Sequence, residues 1–254
     1  MNDQIPDPKT MTLGSNAWVE AVYQSGPARE TEGRSRPTHR YFGAADTDID
    51  DVVMEGRNEY IAYLLLCVLR NSGIVSRFKG QPFRLDEECH GVYAYPDFMF
   101  DLVDGRRFVL EVKSNRFIDE KEKVQLEAVN AAFTDTSINY LLWTDKWPLH
   151  RPVIHAMNHL RRAHRQSYPD DHLQSIRQAV QRGPRTMREL RTETPKFHFD
   201  EVLAAAYRGR VFLNIFQKID DYTKVTYAPD LKMIELLFQT RVQGAKGWDA
   251  GTKV

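Results

Sequence analysis

Two runs of strand-forming residues, 93–103 and 106–113, are separated by Asp104-Gly105. An Asp-Gly pair between such runs is a strong hairpin signal, because both residues tolerate the left-handed backbone of a tight turn. Residues 119–133 follow with Val124, Leu126, Val129, Ala132 and Phe133 as a helical apolar set, and 138–143 is a largely apolar strand. A strand–helix–strand crossover requires a parallel pair. The expectation is a mixed α/β sheet in which a hairpin shares a strand with a parallel pair.

Around this centre the pattern predicts a helix starting near 49–52, with Asp50 and Asp51 in its first turn, running through Glu59 to Arg70 and stopped by Gly73. A short strand is predicted at 74–78. Residues 1–40 contain Pro6, Pro8, Gly14, Gly26, Pro27, Gly33 and Pro37 with little periodicity, and read as a flexible arm. Beyond Pro148 and Pro152, helices are predicted at 153–165, 171–182 and 199–208. A short helix between them is capped by Thr186, with Glu189 closing a capping box. Strands at 211–216 and 224–227 complete the chain. Three short helices and a hairpin are the layout of a winged-helix module. The domain expectation is an arm over 1–40, a mixed-sheet domain over 41–166 and a winged-helix-like domain over 167–254.

Side chains alternate along a strand, so Val109, Glu111 and Lys113 share one face and Phe108, Leu110 and Val112 the other. An acid and a lysine two apart among apolar neighbours persist only if paired or bound to metal. The place of Asp97 depends on the turn. A two-residue turn sets Asp97 opposite Val112, on the wrong face. A three-residue loop over 103–105, with a left-handed Gly105 forming a bulge, sets it opposite Glu111. Like charges facing each other repel, and a divalent cation between them converts that liability into a site. Carboxylate oxygens suit magnesium or manganese. Phosphodiester hydrolysis uses such a cation to polarise phosphate and activate water. Lys113 would orient or deprotonate the water, or hold phosphate oxygens.

The net charge is zero over 254 residues, so no overall attraction to nucleic acid follows. The distribution is uneven. Asp46, Asp48, Asp50, Asp51, Glu55 and Glu59 crowd one stretch, whereas 150–192 carries nine arginines against three acids. Arg185, Arg188 and Arg191 have helical spacing and suit phosphate contacts or a solvated face alike. Cys67 and Cys89 are too few and too far apart for a disulfide framework or zinc knuckle. No apolar run is long enough to span a bilayer and residues 1–10 lack a secretory pattern, so a cytoplasmic protein is expected. His155 and His159, with His164 beyond, have a spacing that can bind zinc. They lack a glutamate base and a third ligand, and read as an ordinary amphipathic helix. Gln125 and Glu127 read as surface polarity, Trp143 and Trp147 as core and domain-junction residues, and Glu55 as a solvated neighbour of Glu59.

Pro96-Asp97, followed fourteen positions on by Glu111-Val112-Lys113 and preceded by a helical glutamate, resembles the restriction-endonuclease-like nuclease superfamily. The blocks Glu55-Gly56-Arg57-Asn58-Glu59-Tyr60, Gln81-Pro82, Tyr95-Pro96-Asp97-Phe98 and Glu111-Val112-Lys113 are similar to the TnsA family, the endonuclease subunit of heteromeric cut-and-paste transposases. The resemblance covers residues 40–145. It implies an Mg2+-dependent endonuclease, with Mn2+ able to substitute, that cuts the 5′ ends of a transposon. Asp97, Glu111 and the Val112 carbonyl would hold the metal, with Glu59 binding directly or through water, and Lys113 would be the catalytic lysine. It further implies transposon-end DNA, a TnsB-like transposase and a TnsC-like ATPase regulator as partners. The alternatives are another nuclease on the same core (restriction, repair or phage) and a non-catalytic DNA-binding assembly subunit.

Overall fold

A computed structural model of the chain describes residues 7–26, 28, 41–42, 53–54, 56–146, 150–193 and 196–238. Glu55, Trp147, the acidic stretch from Asp46 to Asp51 and most of residues 29–40 lie outside the described residues. The contacts divide the chain into two compact units. One comprises Met1–Tyr60, Arg77–Thr144 and Thr240–Val254, the other Ile61–Ser76 and Asp145–Gln239.

The first unit opens with a 3-10 turn, Pro8–Thr10, and helix α1 (Asn16–Gln24), whose first amides are capped by Ser15. Trp18, Val19 and Val22 of α1 are buried in the core cluster that includes Phe83, Met99, Val109, Leu126, Val129 and Tyr140. The expected 1–40 arm is therefore corrected at its start: α1 is a packed helix. Arg77 pins it through ion pairs to Glu20 at 2.6 Å and Asp101 at 2.9 Å. Buried Lys79 donates from its Nζ to the Val22 carbonyl at 2.6 Å and to the Ser25 carbonyl, satisfying acceptors that the helix end leaves open.

Strands β1 (Tyr41–Phe42) and β2 (Val53–Met54) pair antiparallel just before helix α2 (Arg57–Asn71). The helix thus begins after Gly56, not at 49–52. Strand β3 (Val75–Gly80), the short helix α3 (Glu87–His90), β4 (Phe98–Leu102), β5 (Arg107–Lys113), helix α4 (Glu120–Phe133) and β6 (Ile138–Thr144) follow. The sheet order is β3-β4-β5-β6, with β4 and β5 antiparallel and β5 and β6 parallel. This is the mixed sheet that the sequence predicts. Its central strands are buried almost throughout, as strands covered on both faces must be. The expected strand 93–103 is shorter, because Pro96 has no N–H for the ladder and β4 starts only at Phe98.

The hairpin settles the register. Phe98 faces Leu110 and Met99 faces Val109. The Leu102 amide donates to the Arg106 carbonyl at 2.8 Å, and Gly105 is left-handed with φ 88°. This is the three-residue loop rather than the two-residue turn.

The second unit contains α5 (His150–His164), α6 (Asp170–Gln181), β7 (Arg185–Thr186), α7 (Met187–Thr192), α8 (Phe199–Tyr207), β8 (Phe212–Leu213), β9 (Lys224–Thr226) and α9 (Leu231–Phe238). Its small antiparallel sheet has the order β7-β9-β8. The Thr186–Glu189 capping box is present in full. Helix α8 is buried from Val202 to Tyr207 and packs against α5 and α6. The sequence grouped α5 with the preceding sheet; its contacts group it with α6 and α8 instead. Gly209 is left-handed, and a Cβ there would lie 1.9 Å from the Asn71 carbonyl oxygen. Among the described residues, no helix is long and apolar enough to cross a membrane.

Candidate active site

Extending the register by one step brings Asp97 opposite Glu111, on the sheet face that carries Met99 and Val109. Local backbone chemistry holds the pair in place. The Val112 amide donates to Asp97 Oδ2 at 2.7 Å, and the Gln81 amide donates to the Asp97 carbonyl at 2.7 Å. Gln81 adopts φ 46°, a costly conformation for a side-chain-bearing residue that the surrounding contacts must maintain. Val112 lies opposite Pro96, which has no N–H to give the Val112 carbonyl.

The charges are tightly coupled. Burial, then the charges of Glu111 and Glu59, push the Asp97 carboxyl well above its usual range despite the Val112 hydrogen bond and Lys113. Burial also raises Glu111, which is 8% exposed, and Lys113 offsets only part of the effect. Lys113 Nζ lies 3.0 Å from Glu111 Oε1 and 2.9 Å from Glu122 Oε1. Burial works against the ammonium, but the two carboxylates prevail and its pKa is raised. Glu59, in the first turn of α2, bears electrostatically on both buried acids. A Cβ on Gly56 would come 3.1 Å from Glu59 Oε1, so glycine leaves room for that carboxylate.

The structure thus brings Asp97, Glu111 and Lys113 together with Glu59 nearby. Among the described residues no three His, Cys, Asp or Glu side chains cluster closely enough to hold a metal, so Glu59 does not complete a three-carboxylate cage. Two acids with raised pKa values, plus a carbonyl facing a proline, nevertheless form a donor set that suits Mg2+. That ion commonly takes one or two carboxylates and keeps several waters.

The acids and Lys113 lie in a cleft of about 650 Å³ lined also by Arg84, Tyr93, Tyr95, Glu122 and Gln125. Sequence reasoning missed Glu122, Tyr93 and Tyr95. It assigned Gln125 to the surface, whereas Gln125 Nε2 donates to the Tyr93 carbonyl at 3.1 Å. Only the four-residue spacing from Asp119 through the first turn of α4 hinted that Glu122 would project toward the sheet. Glu127 is half-buried and outside this lining.

Elsewhere, the His155 and His159 rings are 4.5 Å apart, and burial followed by the His155 charge lowers the His159 pKa. Arg185 is paired with Glu193, and Arg191 with Asp221 at 2.5 Å, while Arg188 is exposed. Trp143 and Cys67 are buried and Cys89 is an exposed free thiol. No protein-family model matches the chain, and no curated protein is significantly similar to it.

Proposed function

We propose that the chain is a metal-dependent DNA endonuclease with a restriction-endonuclease-like core, a TnsA-like enzyme cutting the 5′ ends of a transposon. The observation that carries the reading is the pairing of Asp97 with Glu111 across the hairpin, with Lys113 Nζ 3.0 Å from Glu111. Facing acids that are buried and raised in pKa are destabilising unless a cation joins them.

Asp97, Glu111 and the Val112 carbonyl would hold Mg2+ or Mn2+, with Glu59 acting through water. When bound, the cation supplies Lewis acidity to the phosphate and lowers the pKa of a coordinated water. The Val112 and Gln81 amides keep the Asp97 side chain and backbone fixed. Lys113, with its pKa raised, offers a positive charge to a phosphate oxygen rather than a base to the water. Glu122 shares the ammonium with Glu111 and fixes its position.

The element order α6-β7-α7-α8-β8-β9 and sheet order β7-β9-β8 support a winged-helix reading of the second unit. Its exposed arginine, Arg188, suits a phosphate contact more than the ion-paired Arg185 and Arg191. A TnsB-like transposase and a TnsC-like ATPase would supply end recognition and control, in keeping with zero net charge.

The test is cleavage of transposon-end duplexes with Mg2+ or Mn2+, with and without the partner transposase. Expected are 5′ nicks at the ends, lost in Asp97→Ala and Lys113→Ala with DNA binding retained. Full activity in both variants defeats the reading. Efficient cutting of random DNA by the isolated protein favours a different nuclease on this core.

A further inference from the structure

Tyr140 sits on β6 opposite Val109, so its side chain rises from the same sheet face as Glu111. Its ring stacks on Phe133 of α4 with centroids 6.3 Å apart and planes 4° from parallel. The residue is 96% buried (4% exposed), and its hydroxyl has no hydrogen-bond partner. A phenylalanine would fill the same apolar volume without an unsatisfied hydroxyl, whose burial is unfavourable. The tyrosine therefore carries a stability penalty that the folded chain alone does not offset. The charges that bear on the phenol are those of Glu111, Asp97 and Glu122, the three acids of the cleft.

We propose that Tyr140 is a positioning residue of this site, its hydroxyl donating a hydrogen bond to an oxygen ligand that lodges in front of Asp97 and Glu111. The inference rests on the nuclease reading and adds a residue that neither the sequence pattern nor the carboxylate geometry singles out. The acceptor has the chemistry of a lone-pair oxygen. It is either water on a divalent cation or a non-bridging oxygen of the substrate phosphate. Tyr140 has no other group to donate to, so the hydroxyl aligns that oxygen without taking part in proton transfer.

The experiment compares the full-length protein with Tyr140→Phe by three measurements: melting temperature in EDTA, Mn2+ affinity by calorimetry, and single-turnover cleavage of DNA. The variant is expected to melt higher in EDTA, by roughly 2–4 °C, because the buried hydroxyl is gone. If the acceptor is a cation-bound water, Mn2+ affinity weakens by roughly three- to tenfold. If it is a phosphate oxygen, Mn2+ affinity is unchanged and the cleavage rate falls by a similar factor. A purely structural tyrosine would give the opposite pattern, a lower melting temperature with both functional readouts intact. A variant that matches the parent in Mn2+ affinity and cleavage overturns the inference and leaves the nuclease reading standing. A parent protein that neither binds Mn2+ nor cuts DNA overturns both.

Discussion

The Val112 amide donates a 2.7 Å hydrogen bond to Asp97 Oδ2, so the backbone of β5 orients the acid that faces it across the hairpin. The same bond lowers the Asp97 pKa, yet burial and the charges of Glu111 and Glu59 outweigh it. An acid raised in the fold favours the folded state when protonated. Its contribution is full below the unfolded value, about 4, and is lost as pH rises through the folded value. In EDTA the protein should therefore lose stability as pH climbs above about 4 toward neutrality. Asp97→Asn should flatten that decline and melt higher at pH 7 by roughly 2–4 °C, the effect of ~1 kcal/mol in a chain of this size. Thermal scans across this range check it; an unchanged slope in the variant would show that Asp97 is not raised.

Cation binding to these acids must displace their protons. Mn2+ affinity should therefore strengthen with pH until both acids are ionised in the free protein, then level off. Calorimetry in buffers of different ionisation enthalpy counts the protons released. A pH-independent affinity with no proton release would contradict the raised values.

Lys113 stands between two carboxylates. Lys113→Ala is expected to reduce cleavage by about 100-fold or more, within the range for charge-stabilising groups, with DNA affinity in a gel-shift assay nearly unchanged. Glu122→Gln removes one of the two charges that raise the lysine. The alkaline limb of the cleavage–pH profile should then move to lower pH. A profile superimposable on the parent's would remove Glu122 from the site.

The three arginines of the second unit should separate on mutation. Arg185 and Arg191 are held by Glu193 and Asp221, whereas Arg188 is exposed. Arg188→Ala should weaken DNA binding across sequences and reduce the salt dependence by about one counterion. Arg185→Ala should change it little. Equal effects would mean the ion pairs open on binding.

Gly209→Ala tests packing rather than chemistry. The left-handed backbone and a Cβ only 1.9 Å from the Asn71 oxygen leave no room for a methyl group. A loss of about 2–4 kcal/mol in urea unfolding is expected, in the range of strained and overpacked sites. A loss under about 0.5 kcal/mol would show that the neighbouring backbone yields easily.

Elements governed by local chemistry were readable in the sequence. The Asp104-Gly105 loop, the α4 periodicity with Asp119 as its cap, and the Thr186–Glu189 box all depend on neighbouring residues. Hairpin alternation likewise brought Asp97, Glu111 and Lys113 onto one face. What escaped depends on distant partners. α1 is nine residues long amid glycine and proline, and its helix is secured by Arg77 and Lys79, far along the chain. β7 has two residues, too few to show alternation. Glu122 and Tyr140 reach the cleft only because α4 and β6 pack beside β5, which no spacing within either segment reveals.

Lys79 also sets an order of events. The carbonyls that its ammonium fills belong to Val22 and Ser25, near the start of the chain, while Met99 and Val109 complete the pocket that receives α1. During synthesis the helix emerges more than eighty residues before Val109, so it must wait for its docking surface. Until then Trp18, Val19 and Val22 remain available to chaperones or to unwanted association, and their arrival closes the nuclease unit late in its folding.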